Sequence, residues 1–101
     1  MTSVKLQSIA EAEKGSLFSI CLEGDSISEF EKFVQKHNES YSKDLNTILT
    51  AIKRMLEVSG FLERYFRPEG KYNDNVCALP IDSGKLRLYC VRINDSILIA
   101  G

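Results

Sequence analysis

The spacing of apolar positions changes period along the chain, and each change predicts an element. Residues 1–15 place Val4, Leu6 and Ile9 among polar neighbours and read as a lead-in with room for a short strand or a helical turn. In residues 17–22, Phe18, Ile20 and Leu22 alternate with Leu17, Ser19 and Cys21, which predicts a strand largely buried on both faces. Gly24-Asp25 breaks it. The period then becomes helical, with Ile27, Phe30, Phe33 and Val34 on one stripe and Glu31, Lys32, Gln35 and Lys36 on the other. Ser26-Ile27-Ser28-Glu29 has the spacing of a capping box, in which a serine oxygen and a glutamate satisfy orphan amides of the first turn, so the helix is expected to start there. It fades at His37-Asn38-Glu39-Ser40.

The second helical stretch is longer. Leu45, Ile48, Leu49, Ile52, Met55, Leu56 and Ser59 follow one face, with Ser42 as N-cap and Gly60 as the residue past the end. Two amphipathic helices joined by a short polar link predict an antiparallel hairpin that needs a sheet to cover its apolar stripes. Phe61-Leu62-Glu63-Arg64-Tyr65-Phe66 reads as an aromatic-rich connector, and Arg67-Pro68-Glu69-Gly70-Lys71 as a loop. Three strands are expected after it, over residues 76–81, 85–93 and 97–100, with turns at Asp82-Ser83-Gly84 and Asn94-Asp95-Ser96. Pro80 lacks a ladder donor and marks an edge or strand end. In the middle strand Leu86, Leu88 and Cys90 alternate with Lys85, Arg87, Tyr89 and Val91, one set for the helices and the other for solvent or a ligand. The expected architecture is a single α+β domain over residues 1–101, a two-helix hairpin against a mainly antiparallel sheet of about four strands.

Composition narrows the classes. The chain has 101 residues, is 44% hydrophobic and carries a net charge of −1, so one core is expected and no global basic character draws it to nucleic acid. The charge is unevenly placed: residues 1–52 are net −3, residues 53–101 are net +2, and every arginine lies in the second part. No apolar run approaches a membrane span and the N-terminus does not read as a secretory signal, so a cytoplasmic protein with no membrane partner is expected. Cys21, Cys77 and Cys90 each sit inside an apolar strand-like run and are expected to be buried reduced thiols. A single histidine, His37, and no close cysteine pair leave zinc without a ligand set, and no cofactor is expected. His37 falls on the apolar stripe near a helix C-terminus, where a structural role is expected.

No phosphate loop, nucleophile elbow or Cys–His arrangement is present. What remains is Lys85, Arg87 and Tyr89 on one strand face, Arg92 near its end, and Arg64, Arg67 and Lys71 on the approach to the sheet. Arginine offers planar donors that match a phosphate, lysine a point charge, and tyrosine a stacking surface or a proton. Such a set could stabilise, without a metal, the phosphorane formed when a ribose 2′-hydroxyl attacks its neighbouring phosphate. It could equally be the solvated face of an ordinary antiparallel sheet.

Over residues 17–101 the order strand, helix, helix, three strands resembles the RelE/ParE superfamily of toxins from bacterial toxin–antitoxin systems. The residues that carry the likeness are Leu79-Pro80-Ile81-Asp82-Ser83-Gly84-Lys85-Leu86-Arg87-Leu88-Tyr89-Cys90-Val91-Arg92 and Ile97-Leu98-Ile99-Ala100-Gly101. Arg64-Tyr65-Phe66-Arg67-Pro68 is similar to the run into the sheet of the phage-derived, HigB-like branch. The resemblance implies a type II toxin component, either a ribosome-dependent mRNA endoribonuclease (an mRNA interferase) or an inhibitor of gyrase, neutralised by a cognate antitoxin. Carried over by position, it implies Arg87 and Tyr89 as catalytic residues and Lys85, Arg92, Arg67 and Lys71 as binding residues, with ribosome and mRNA as partners. The sequence departs from the pattern where Ala78, Leu79 and Ile81 are apolar and Asp82 is acidic in place of basic residues. Related chains also commonly continue past the last strand, whereas these residues end at Gly101. Both departures give a second expectation: a catalytically inactive RelE-like domain that acts only by binding protein, an antitoxin or a gyrase-type target.

Overall fold

A computed structural model describes residues 3–68, 76–79 and 85–101. The chain runs β1 (Val4–Ala12), β2 (Gly15–Leu22), α1 (Glu29–His37), α2 (Ser42–Arg54), a π-helical turn (Met55–Ser59), a 3₁₀ turn (Glu63–Tyr65), β3 (Arg67–Pro68), β4 (Val76–Leu79), β5 (Leu88–Asn94) and β6 (Ile97–Ala100). It is an α+β fold with two helices on a mixed sheet of order β1-β2-β6-β5-β4-β3. β2 and β6 are parallel and every other pair is antiparallel. The sheet thus has five strands longer than two residues plus the two-residue β3, more than the four expected. The added strand is the lead-in: β1 pairs with β2 along its whole length through a turn at Glu13-Lys14.

The helix layer forms where the sheet presents Leu17 and Ser19 of β2, Leu98 and Ala100 of β6, Leu88 and Cys90 of β5, and Cys77 and Leu79 of β4. Phe30 of α1 and Leu45, Ile48 and Ile52 of α2 close over them in one cluster. Burying each of the large aliphatic chains contributes about 1.5–3 kcal/mol, so this single interface is the core.

α1 begins two residues later than the expected cap. Ser28 is the N-cap, its Oγ accepting from the Glu31 amide at 3.2 Å, so the serine-to-glutamate spacing that matters is 28 to 31. The Phe30 amide finds Ser19 Oγ at 2.9 Å, and that hydroxyl donates to the Ala100 carbonyl at 2.7 Å. One buried serine therefore ties β2, β6 and the start of α1 together. α2 has Ser42 as its first residue and no side-chain cap, and it loosens into the π turn before Gly60 reverses the chain at φ 81°. A side chain at Gly60 would lie 2.8 Å from the Asp95 carbonyl, which is why this position is glycine.

The strand expected at residues 17–22 is buried on one face only: Leu17 and Ser19 are sealed, while Phe18 is half-buried and Ile20 is 36% exposed. No described element lies over that second face. Cys77 and Cys90 are buried as expected, but Cys21 is half-buried, at the end of β2 where the core thins. His37 meets the Phe33 ring at 4.9 Å and the Tyr41 ring at 5.8 Å, edge-on in both cases, a structural placement on the helix layer. The expected end of β4 at Pro80-Ile81 and the turn Asp82-Ser83-Gly84 lie outside the described residues. Among the described residues, no helix is long and apolar enough to cross a membrane.

Candidate functional site

Because partners in neighbouring strands share a face, the register fixes what the uncovered side of the sheet carries. Leu6 pairs with Ile20 and Val4 with Leu22; Phe18 pairs with Ile99; Ile99 pairs with Val91; Val91 pairs with Val76. All of these point away from the helices, together with Ile97 and Tyr89. An apolar band therefore runs across the face from β1 to β4, with Ser8, Glu11 and Ser16 on the same side of β1 and β2. Leu6 is 61% exposed, Val4 58% and Tyr89 51%. A cavity of about 170 Å³ opens in it beside the end of β6, where Gly101 follows Ala100; Ile20, Val76, Tyr89, Val91 and Ile99 form its walls and Glu29 of α1 stands at its end.

The expected binding set divides along the sheet. Lys85, Arg87 and Tyr89 alternate outward while Leu86, Leu88 and Cys90 are buried, so the sequence periodicity is the observed one. Lys85 and Arg87 precede the paired part of β5, and the stretch is anchored by Asp44 of α2, whose Oδ2 accepts from the Lys85 amide at 2.8 Å and the Leu86 amide at 3.4 Å. Arg67 of β3 and Tyr89 of β5 are both partners of Ala78, on opposite sides of it. They therefore share one row of the open face, their backbones roughly 10 Å apart. Arg67, Arg87 and Tyr89 form a basic and aromatic corner at the β3–β5 side.

Arg92 is not part of that corner. Its backbone pairs with buried Leu98, which puts its side chain on the helix side, where Nε donates to the Phe61 carbonyl at 2.6 Å and the terminal nitrogen meets the Asp95 carboxylate. Parity along β5 separates it from Tyr89, and that signal was legible in the sequence. Arg64 lies with its guanidinium 5.4 Å from the centre of the Tyr65 ring, beside the π turn. There the Ser59 hydrogen bond, and then the nearby Arg64 and Arg54 charges, hold the Tyr65 phenol below its ordinary pKa. Lys71 lies outside the described residues.

The residues that sequence reasoning missed are the outward apolar ones, Leu6, Ile20, Ile99 and Val76. The run Ile97-Leu98-Ile99-Ala100, apolar at every position, was their signal, since one face of a covered antiparallel sheet should be polar. Among the described residues, no three His, Cys, Asp or Glu side chains come together as a metal site would need. No family model matches the sequence, and no curated protein or solved structure matches it.

Proposed function

We propose that this chain is a RelE/ParE-like domain that acts by binding protein through the open face of its sheet. The observation that supports this most is the continuous apolar surface running through Leu6, Ile20, Phe18, Ile99, Val91 and Tyr89, uncovered by any described element. Exposed apolar patches of this extent mark interaction surfaces, because solvating them costs free energy that docking recovers. A phosphate-cleaving face would be expected to carry cations through its centre, and here they sit at one corner.

The corner supports a second reading. Arg67, Arg87 and Tyr89 on one side of the sheet are the residue types that a metal-independent endoribonuclease of the toxin class uses, Arg87 to hold the phosphate and Tyr89 to stack a base or move a proton. Expression of the chain alone in a bacterial host, with growth and reporter mRNA followed together, separates the two. The binding reading expects intact mRNA. Cleavage that disappears in Arg87→Ala with Tyr89→Phe would replace it with the toxin nuclease, whose partners are ribosome, mRNA and an antitoxin.

A further inference from the structure

We infer that the occupant of the open sheet face is a second copy of this chain, the two sheets packing face to face about a two-fold axis. This rests on the binding reading above and names its partner. The centre of the face, on β2, β6 and β5, carries Phe18, Ile20, Ile97, Ile99, Val91 and Tyr89 and no charge. Loss of charged residues from the centre of a patch is the anatomy of an interface core, and homodimer interfaces are the more apolar ones.

The charges that the strands place on this face lie toward its edges, while Glu29 of α1 lines the cavity. Glu11 of β1 pairs with Ser16 and so stands on the open side at one edge, while Arg67 of β3 stands on it at the other. A two-fold axis lying in the interface along the strands brings the β1 edge of one copy over the β3 edge of its mate, and does so twice. The same operation lays apolar β2 over apolar β4 and keeps Arg67 and Arg87 at the rim.

Size agrees with the pairing. The 34 residues of the six strands, at ~3.3 Å of rise each and ~4.8 Å between strands, give a footprint on the order of 500 Å² per copy before side-chain relief is counted, approaching the ~800 Å² per partner of a standard stable interface. The cavity of about 170 Å³ lies within the footprint, and a space near 150 Å³ takes one benzene-sized group. One large apolar side chain of the facing copy fills it.

Sedimentation equilibrium of the purified chain tests this. The expected result is a particle of twice the 11.4 kDa chain mass. Leu6→Glu and Tyr89→Glu each convert it to monomer with the circular dichroism spectrum unchanged. Val58→Glu, which alters an exposed apolar residue of the π turn, leaves the dimer intact. A wild-type chain that stays monomeric, or a dimer that persists in both face variants, overturns the inference. An anilinonaphthalenesulfonate dye distinguishes the two levels of the argument. A monomer that binds the dye, with binding lost in Tyr89→Glu, overturns the second copy but keeps the docking face, whereas a monomer indifferent to the dye overturns both.

Discussion

The Nε of Arg92 donates to the carbonyl of Phe61 at 2.6 Å, and the Phe61 amide donates to the carbonyl of Asp95 at the same distance. Phe61 itself is fully buried, its ring lying where a side chain at Gly15 would otherwise project. The connector after the π turn is thus stitched to the β5–β6 turn from both sides. The Arg92–Asp95 pair adds little, since the Asp95 side chain is 64% exposed and water screens it. The bond to Phe61 is the significant one.

Arg92→Ala is accordingly expected to lower unfolding free energy by about 1.5–3 kcal/mol, the range for a hydrogen bond from a charged donor to a carbonyl that loses this partner. Arg92→Lys keeps the charge but not the planar Nε–H and recovers less than half of the loss. Urea denaturation measures both. Unchanged stability in Arg92→Ala would remove the structural role assigned to this arginine.

Ser19 offers a second test of the same kind. Its hydroxyl donates to Ala100 and accepts from Phe30, and it is completely buried. Ser19→Ala leaves one amide and one carbonyl without that partner, an expected cost of about 2–4 kcal/mol for two buried groups. Hydrogen exchange at the Phe30 amide should accelerate more than exchange at amides in the middle of α2. Equal acceleration everywhere would mean that the loss is global and that Ser19 has no special hold on α1.

How far the sequence reached depends on whether a residue's partner is local. Both helices were legible, because Phe30, Phe33 and Val34, and Leu45, Ile48 and Ile52, repeat at a period set by the helix itself. The cap of α1 was displaced by two residues because two serines compete, and the choice depends on Ser19, far away in the chain. β1 was read only as a lead-in with room for a short strand or a helical turn, for a different reason: the register shift between Ser8 and Ala10 interrupts its alternation just where Ile9 would have extended it. The corner of Arg67, Arg87 and Tyr89 was partly legible, through period-two alternation along β5, but its alignment with Arg67 required the pairing of β3 with β4. The apolar open face was visible as composition and misread as burial, since an apolar strand face records only that something covers it, not whether the cover belongs to the same chain.

The thiols divide by environment. Cys77 and Cys90 are cross-strand partners with sulfurs 3.9 Å apart, both buried, and burial pushes both thiols up from their ordinary pKa. Cys21 is half-buried. Thiolates are the reactive form, so an aromatic disulfide reagent at mildly alkaline pH should titrate one thiol of the native chain quickly and all three only after denaturation. The linkage runs in the matching direction. A thiol whose folded pKa is raised contributes fully below the unfolded value near 9, and that contribution is lost as pH climbs above it toward the folded value. Thermal midpoints should therefore fall above pH 9, and fall less in Cys90→Ala compared with its own value at neutral pH. Two fast thiols in the native chain would contradict the burial of the pair.

Asp44 controls how the basic corner is presented. Its Oδ2 receives the amides of Lys85 and Leu86, a charge-assisted clamp from the first turn of α2 to the segment that leads into β5. The carboxylate also lies near the positive end of the helix dipole, which favours it there. Asp44→Ala removes both effects, and the expected cost is about 1–2 kcal/mol because the clamp is partly open to water. Its local signature is sharper than its stability change. Amides 85 and 86 should exchange with solvent tens of times faster, while the Cys90 amide in the paired part of β5 is slowed or quickened only by the global change. If Arg87 and Tyr89 act together on any ligand, Asp44→Ala weakens that ligand's binding as well, since the clamp fixes the backbone two residues before Arg87. Amide exchange at residues 85 and 86 that is unaltered by the substitution would show that the segment is held from elsewhere.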